Sequence, residues 1–258
     1  MAKTLKRFLI SSSLGTLDQR AKRETATVLL TPEETHHLKN VLRVKEGSLC
    51  LLFDQDGNEF ISRIEHYLPD ARSEARLMEA VGREEHRLLK LTVAQAIPQD
   101  RKMDEIVRKS AELGIFELIP LVTERTVVRM TKERFKKVHE RWERIANQTL
   151  KQSRLQRAPQ IKSLTSFSEL CSQFSSYDKV FVLEPSPQAK PIRESFSEGR
   201  LSAKSRILLM IGPEGGFSPK EIAQAKAAKA EEIKMGPGIL KTDTAFVAAA
   251  GFFQLMSS

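Results

Sequence analysis

The chain has 258 residues, 40% of them hydrophobic, which is enough apolar material for one large domain or two ordinary ones. Lys and Arg number 42 against 33 Asp and Glu, and the net charge of +9 favours a polyanionic partner, nucleic acid ahead of an acidic membrane surface. No apolar run approaches the ~20 residues that span a bilayer, and the apolar segment near the N-terminus is too short for a signal peptide. These features argue against a membrane protein and predict a folded protein of the cytoplasm.

The cysteines and histidines show no disulfide or metal pattern. Cys50 and Cys171 are far apart and lack CxxC or Cys/His spacing, which predicts two reduced, structural thiols. Among the five histidines, His36 and His37 are adjacent, but none has the i, i+4 spacing of a helical metal site. We therefore expect no metal.

The N-terminal part predicts a small β-rich unit that carries one helix. Thr31 and Glu34 form a capping box with a proline at the first helical position, so a helix is expected over Pro32–Arg43. Two short apolar runs flank Asp54–Gly57, and the Asp-Gly pair suits a hairpin turn. The sequence thus predicts strand, turn and strand after the helix.

A different pattern begins after residues 70–87, a highly charged stretch that holds either a last strand of the first unit or a linker. We place the boundary between a domain of residues 1–76 and a domain of residues 77–258. From Leu88 onward, strand-like runs alternate with helical ones, which is typical of a mainly parallel sheet covered on both faces. An α/β fold is expected for the C-terminal domain.

The last helical stretch, residues 243–256, is apolar almost all round. A helix with no polar face must be buried on every side. Another copy of the chain is the natural cover, and the small residues Ala248–Gly251 would let it approach closely. The alternative is a central core helix in a monomer, but we expect a homodimer.

Three later strands each end in a loop that contains proline. The loops are VLEPS at 182–186, IGPEGGFS at 211–218 and MGPGILKTDT at 235–244. Because ligands in an open α/β sheet bind outside the carboxyl ends of the strands, these loops predict one shared pocket. A tight turn without a ligand is the alternative for any single loop, but three in one sheet argue against it.

The middle loop contains three glycines, Gly212, Gly215 and Gly216, in one short turn. Neither the GxGxxG of dinucleotide folds nor the GxxxxGK[ST] of phosphate-binding loops occurs in the chain. Glu214 stands where such loops leave room for an anion, which disfavours phosphate. The glycines instead suit a flat polar ligand, such as an adenine base, contacted by backbone N–H and C=O groups.

The stretch IGPEGGFSPKEI, followed from residue 235 by MGPGILKTDTAFVAAA, closely resembles the paired motifs of the RsmE family. Members of this family are SPOUT-superfamily methyltransferases that use S-adenosylmethionine to methylate N3 of a uridine in bacterial 16S ribosomal RNA. The resemblance extends over nearly the whole chain. KRFLI resembles the family's N-terminal start, residues 36–60 its PUA-like RNA-binding domain, and residues 94–128 the segment that opens its methyltransferase domain.

The resemblance implies a C-terminal SPOUT domain, an α/β fold with a mainly parallel sheet and a deep trefoil knot, preceded by an N-terminal β-rich PUA-like domain. It also implies that main-chain groups of the three loops hold the cofactor and that two copies of the chain meet at the reacting centre. The residues expected to bind the cofactor are Leu183, Glu184, Ile211, Gly212, Glu214, Gly215, Gly216, Met235, Gly236, Ile239, Leu240 and Thr242.

The third motif departs from the family pattern GPRILRTET. Gly238 and Lys241 replace arginines and Asp243 replaces a glutamate, and a lysine does not reproduce the bidentate fork of an arginine. Methyl transfer to N3 requires loss of the N3–H proton and stabilisation of charge that spreads to the flanking carbonyl oxygens. We expect Lys241 or Arg7 to stabilise the anion and Asp243 or Glu214 to accept the proton, although an acid at a helix start is as often a dipole complement.

RNA contact is expected from the basic surfaces. Residues 129–157 hold ten Lys and Arg against three acids, although a charged run is also typical of a face that meets only solvent. The RNA-binding candidates are Arg7, Arg43, Arg125, Arg134, Lys137 and Arg141.

Two other functions stay open at this point. A SPOUT enzyme of this kind could modify another ribosomal nucleotide or a tRNA. A non-catalytic RNA-binding factor for ribosome assembly could keep the fold without binding the cofactor.

Overall fold

The computed structural model describes residues 5–14, 26–54, 58–81, 89–100, 102–128, 130–153, 155, 157–196 and 205–256. The chain divides into two compact units. The first unit comprises residues 1–86 and 150–157, and the second comprises residues 87–149 and 158–258.

The first unit is a five-stranded sheet with one short helical segment. Its strands are β1 (Lys6–Leu9), β2 (Thr27–Leu30), β3 (Leu49–Phe53), β4 (Glu59–Tyr67) and β5 (Ser73–Ala80), in the order β1-β3-β4-β5-β2. The β1–β3 pair is parallel, and the other pairs are antiparallel. Alternate residues of the strands, among them Leu30, Leu52 and Ile64, are fully buried in one core. One face of the sheet therefore carries the core, as period-two burial requires.

Helix α1 (Pro32–His36) continues as a π-helical segment over His37–Val41. The predicted capping box is present, because the Thr31 hydroxyl accepts from the Glu34 amide and the Glu34 carboxylate accepts from the Thr31 amide. The helical segment ends earlier than the expected Arg43. That residue has φ of 52°, in the left-handed region, which no helical residue adopts.

The charged stretch after residue 70 is a strand, one of the two alternatives that its sequence left open. Ser73, Ala75 and Leu77 of β5 are buried while the residues between them are partly or fully exposed, so the charges do not prevent pairing with β4 and β2. The boundary expected between residues 76 and 77 thus falls inside β5, whereas the chain divides at residue 86. The expected hairpin turn lies at residues 55–57, outside the described residues, and the flanking β3 and β4 pair antiparallel.

The second unit is an eight-stranded sheet in which every described pair of neighbouring strands is parallel. The strands are β6 (Lys90–Ala96), β7 (Glu117–Val122), β8 (Gln160–Ile161), β9 (Thr165–Ser166), β10 (Lys179–Leu183), β11 (Lys190–Pro191), β12 (Arg206–Ile211) and β13 (Glu231–Lys234). Their order is β11-β13-β10-β12-β6-β7-β8, and β9 also pairs with β7. The prediction of a mainly parallel sheet is confirmed.

Helices cover both faces of this sheet, as the alternation of strands and helices predicts. They are α2 (Lys102–Glu112), α3 (Lys132–Ser153), α4 (Phe167–Ser172), α5 (Pro219–Ala227) and α6 (Thr242–Met256). Ile207 and Leu209 of β12 pack in one core with Phe246 of α6. Leu208 and Met210, on the other face of the same strand, pack in a second core. The trefoil knot implied by the resemblance stays a prediction, because strand order defines which strands pair and not how the chain threads.

Helix α6 is buried on one side within the chain, with Phe246, Ala249 and Phe253 fully buried. Its opposite side is accessible, because Val247 is 40% exposed and Leu255 is 77% exposed. The expectation of burial on every side is therefore not met by this chain alone. The homodimer stays a prediction that would account for the exposed apolar side.

Three further features of the described residues concern membrane-spanning helices, groups of metal-binding side chains and the two cysteines. No helix among them is both long and apolar enough to cross a membrane. In the same part of the chain, no three His, Cys, Asp or Glu side chains are grouped so that they could hold a metal ion. Both cysteines are free, and burial raises the pKa of Cys50 to about 12 and that of Cys171 to about 11, so neither is an activated thiolate.

Candidate functional site

The loops after β10, β12 and β13 meet at one edge of the second unit's sheet. Leu183, the last residue of β10, pairs with Ile211 of β12 on one side and with Ile233 of β13 on the other. The three strands are therefore neighbours and end at the same level, which brings the loops that follow them together. They enclose a cavity of about 400 Å³, which the first residues of α6 also line.

All twelve residues that the sequence predicts to bind a cofactor line this cavity. The structure adds Lys241, which the sequence assigns to catalysis, and five residues outside those twelve, of which only Lys234 and Ala245 also lie outside the three predicted loops. The five are Pro185, Pro213, Lys234, Gly238 and Ala245. Four of them belong to the three loops or the strand end beside them, and Ala245 lies one helical turn after Thr242, a spacing that would have indicated it.

The backbone of the middle loop folds back on itself at Gly212. A Cβ atom there would lie 3.3 Å from both the Cα and the carbonyl carbon of Gly216, closer than ordinary contact with backbone atoms. Gly216 has φ of 68° and its amide donates to the carbonyl of Pro213 at 2.9 Å, which closes the turn. Both glycines are thus required by the turn itself.

The carbonyl of Gly212 is held from the core of the unit. It accepts a hydrogen bond from the Thr242 hydroxyl at 2.9 Å, and the same hydroxyl accepts from Gln95 Nε2 at 3.0 Å. Gln95 is fully buried on β6, and its Nε2 also donates to the carbonyl of Ala96 at 2.9 Å. Thr242 therefore connects the start of α6, the central strand β6 and the middle loop.

Glu214 ties the middle loop to the start of α2. Its carboxylate forms an ion pair with Lys102 at 3.1 Å and accepts from the amide of Gln99 at 3.3 Å. The hydrogen bond from Lys102 to Glu214 is the main cause of a raised pKa of Lys102, and Asp243 contributes to the same shift. These contacts explain why the loop carries an acid, and the role of Glu214 as proton acceptor stays a prediction.

Arg125, predicted to bind RNA, contacts the middle loop from the turn after β7. Its Nη1 donates to the carbonyl of Gly215 at 2.7 Å, and its side chain lies 3.5 Å from where a Cβ of that glycine would be. The turn is anchored in its own right, because the amide of Glu124 donates to Glu221 Oε1 at 2.8 Å. Glu221 is buried and belongs to the capping box of α5.

Glu184 supplies a carboxylate to the cavity from the first loop. Its amide donates to the carbonyl of Ile233 at 2.9 Å, so its backbone continues the sheet. Its Oε2 is buried and has no hydrogen-bond partner within the part of the chain that the structure describes. Burial raises the pKa of Glu184, while the positive charge of Arg125 acts in the opposite direction.

The three catalytic candidates occupy different surroundings. Lys241 is exposed at the cavity, and Asp243, on the first turn of α6, has a buried Oδ1 without a hydrogen-bond partner among the described residues. Arg7 belongs to the first unit, where it forms a 2.8 Å ion pair with Glu59 and lies 3.6 Å from the centre of the Phe53 ring. These contacts give Arg7 a structural role in the first unit, and its catalytic role stays a prediction.

The other RNA-binding candidates fall into two groups, those with exposed side chains and those whose side chains contact other residues of the same unit. Arg43, Arg134 and Lys137 have exposed side chains, as a surface for a polyanion requires. Arg141 instead forms an ion pair with Asp104, whose other oxygen accepts from the indole of the buried Trp142 at 3.2 Å. The structure thus engages Arg141 and Arg125 in the second unit itself.

Comparison with known proteins bears on the whole chain. The family model described as RNA methyltransferase domain matches residues 84–254, and the one described as RNA methyltransferase PUA domain matches residues 30–66. Ribosomal RNA small subunit methyltransferase E of Bacillus subtilis is 31% identical over 224 residues, 86% of this chain and 87% of that protein. Its counterpart in Synechocystis is 29% identical over 220 residues, 85% of this chain and 70% of that protein.

A solved structure agrees with these relatives. It is the ribosomal RNA small subunit methyltransferase E of Neisseria gonorrhoeae bound to S-adenosyl methionine. The two chains are 27% identical, superpose with a TM-score of 0.81, and each is covered over 98% of its length.

Replacing Thr242 by valine tests the network at Gly212. The variant keeps the shape of the side chain but removes the hydrogen bond to the Gly212 carbonyl and one of the two acceptors of Gln95 Nε2, so the free energy of unfolding should fall by about 1 to 3 kcal/mol. Urea denaturation measures the change. The matched control, Thr242→Ser, keeps the hydroxyl and should lose less; equal losses in the two variants would contradict the network.

Proposed function

Because this chain belongs to the ribosomal RNA small subunit methyltransferase E family, we propose that it is an S-adenosylmethionine-dependent methyltransferase of 16S ribosomal RNA. The observation that carries the proposal is the single cavity built by three loops at the carboxyl ends of neighbouring parallel strands. The finer proposal, suggested by the motif resemblance, is that the target is N3 of a uridine.

The residues of the cavity suit S-adenosylmethionine. Its volume of about 400 Å³ falls within the range of pockets that hold small molecules. Leu183, Ile211 and Leu240 offer apolar surface to an adenine ring, while Gly212–Gly216 offer backbone N–H and C=O groups to its polar edge. Glu184 Oε2, which has no hydrogen-bond partner among the described residues, offers an acceptor for a donor of the ligand. When bound, the cofactor supplies a methyl group activated by the positive charge on sulfur.

The chemistry at N3 places two demands on the protein. The N3–H proton must leave, and the negative charge that spreads over the uracil carbonyl oxygens must be stabilised. Lys241 is an exposed cation at the cavity and suits the second demand. Asp243, two residues further on, has an oxygen free of hydrogen bonds among the described residues and suits the first. N3 lies on the pairing edge, so the uridine must be unpaired when it reacts.

RNA contact is assigned to exposed cations and to the PUA-like part of the chain. Arg134 and Lys137 lie on the exposed side of α3, and Arg43 lies at the end of the helical segment of the first unit. An RNA-modifying enzyme of this kind works in the cytoplasm, where ribosomal subunits are assembled. No metal takes part in the proposed reaction.

A homodimer is the state that we propose for the active protein. The exposed side of α6 carries the apolar side chains of Val247 and Leu255. Such an apolar stripe is typical of an interface between copies of a chain. The partner would then lie beside the start of α6, where Lys241 and Asp243 are placed.

Calorimetry with S-adenosylmethionine tests the cofactor. One equivalent should bind per chain, and Gly212→Val should lower the affinity by about tenfold or more, since the new side chain displaces the loop at Gly216. Gly251→Ala is the control, because Gly251 lies outside the cavity lining and a Cβ there would lie at an ordinary contact distance of 3.9 Å from Leu113. Absence of binding by the wild-type protein would support the non-catalytic RNA-binding factor instead.

Mass-spectrometric mapping of 16S ribosomal RNA tests the substrate. RNA from cells that lack this protein should have lost methylation at N3 of one uridine, and the wild-type gene should restore it. Lys241→Ala should lower the rate of methylation by about 100-fold, as loss of a group that stabilises developing charge does, while Lys241→Arg should retain most of it. An unchanged 16S uridine would contradict the proposed substrate and favour another ribosomal or tRNA nucleotide.

Analytical sedimentation tests the dimer. The wild-type protein should sediment as a dimer at micromolar concentration, and Leu255→Glu should dissociate it because the variant buries a charge in an apolar interface. Met78→Glu, at an apolar residue of the first unit that is 46% exposed, is the matched control and should leave the dimer intact. A monomeric wild-type protein would overturn the proposal.

A further inference from the structure

The turn after β7, residues 123–126, is closed by its own hydrogen bonds. The amide of Thr126 donates to the carbonyl of Thr123 at 3.1 Å, and the amide of Thr123 donates to the hydroxyl oxygen of Thr126 at 2.9 Å. Thr123 is buried, whereas Arg125 is exposed. The side chain of Arg125 therefore extends from a backbone that is already ordered.

This turn is joined to the end of the middle loop by a buried carboxylate. Glu221 Oε1 accepts from the amide of Glu124 at 2.8 Å, and Glu221 Oε2 accepts from the amide of Ser218 at 2.8 Å. Ser218 is the last residue of the middle loop and the N-cap of α5. One carboxylate thus binds both the turn and the end of the loop, which fixes the distance between them.

The peptide unit between Gly215 and Gly216 is held at both of its ends. Its carbonyl accepts a hydrogen bond from Arg125 Nη1 at 2.7 Å, and its amide donates to the Pro213 carbonyl at 2.9 Å. Glycine adopts positive and negative φ about equally well, so two glycines in a row give this peptide unit little resistance to rotation. The two hydrogen bonds therefore select one orientation of the unit, and Arg125 provides one of them.

The whole side chain of Arg125 is directed at the loops of the cavity. Its Cδ atom lies 3.5 Å, and its Cβ atom 3.6 Å, from the place that a Cβ of Gly215 would occupy. Burial raises the pKa of Glu184 in the first loop, and the charge of Arg125 opposes that shift. Contact with an RNA phosphate requires only an exposed cation, which Arg134 and Lys137 provide without such contacts to the loops.

We propose that Arg125 is a positioning residue for the cofactor, which keeps the middle loop in its binding form by fixing the peptide unit between Gly215 and Gly216. Arg125 lies outside the cavity lining and acts through the loop. This role differs from the RNA contact that the sequence predicts for the same residue. The inference rests on the proposed function, since it concerns the binding of the cofactor which that function requires.

Calorimetry with S-adenosylmethionine in the absence of RNA tests the inference. Arg125→Ala should lower the affinity by about tenfold, because only a fraction of the molecules would keep the loop in its binding form. Arg125→Lys retains a donor and the charge and should recover most of the affinity. Arg193→Ala, at an exposed arginine of the same unit outside the cavity lining, is the matched control and should bind like the wild type. Thermal denaturation checks that the variants fold.

Hydrogen–deuterium exchange of the cofactor-free protein reports on the loop itself. The Gly216 amide is hydrogen-bonded to the Pro213 carbonyl, so the segment 212–218 should exchange severalfold faster in Arg125→Ala than in the wild type. Strand β12 should exchange alike in the two proteins. Equal exchange of the segment in both proteins would overturn the inference, because the loop would then keep its form without the arginine.

Steady-state kinetics with 16S ribosomal RNA separates positioning from RNA contact. Arg125→Ala should raise the KM for S-adenosylmethionine by about tenfold and leave the KM for RNA unchanged. Lys137→Ala, at an exposed cation of α3, should show the reverse pattern. A rise confined to the KM for RNA in Arg125→Ala would overturn the inference and make Arg125 an RNA contact.

The outcomes distinguish failure of the inference from failure of the function on which it rests. If the wild-type protein binds S-adenosylmethionine and Arg125→Ala binds it equally well, the inference fails and the proposed function stands. If the wild-type protein does not bind the cofactor, the proposed function fails and the inference fails with it.

Discussion

The close approach of Gly212 to Gly216 is the constraint on which the site depends. A Cβ atom at Gly212 would lie only 3.3 Å from the backbone of Gly216, so the middle loop makes a tight turn there. The residues of this turn line the cavity. The buried Phe217 side chain packs beside this turn, 3.4 Å from where a Cβ of Gly212 would be. Contacts from the surrounding elements also hold the conformation of the loop.

Three elements hold the loop, each at a different residue. Thr242 of α6 binds the Gly212 carbonyl, Lys102 of α2 pairs with Glu214, and Arg125 binds the Gly215 carbonyl. The Thr242 contact is buried and anchored on Gln95, whereas the other two lie at exposed side chains, where an ion pair contributes little stability. The exposed contacts thus serve mainly to orient the loop, and the buried one to fix it.

Much of the fold and the cavity could be predicted because the relevant signals are local. Capping boxes, the period of the apolar residues and the proline-containing loops predict helices, strands and one shared pocket, and the family resemblance implies twelve of the residues that line it. Strand β5 was harder, since its exposed face carries charges that also suit a linker, and only the pairing with β4 and β2 decides. The partners of Arg125 and Arg141 could not be predicted, because Gly215 and Asp104 are brought to them by tertiary packing.

The residues at which the third motif departs from the family pattern, Gly238, Lys241 and Asp243, can be interpreted from their surroundings in the structure. A Cβ atom at Gly238 would meet no atom within 4 Å, so local packing does not require a glycine at this position. At 243, the shorter acid is within electrostatic reach of Lys102, which also pairs with Glu214. Lys102 therefore forms its ion pair with Glu214, and Asp243 adds a weaker electrostatic contribution to the raised pKa of Lys102. In the proposed reaction Lys241 would act as a point charge, which needs no bidentate geometry to stabilise a delocalised anion.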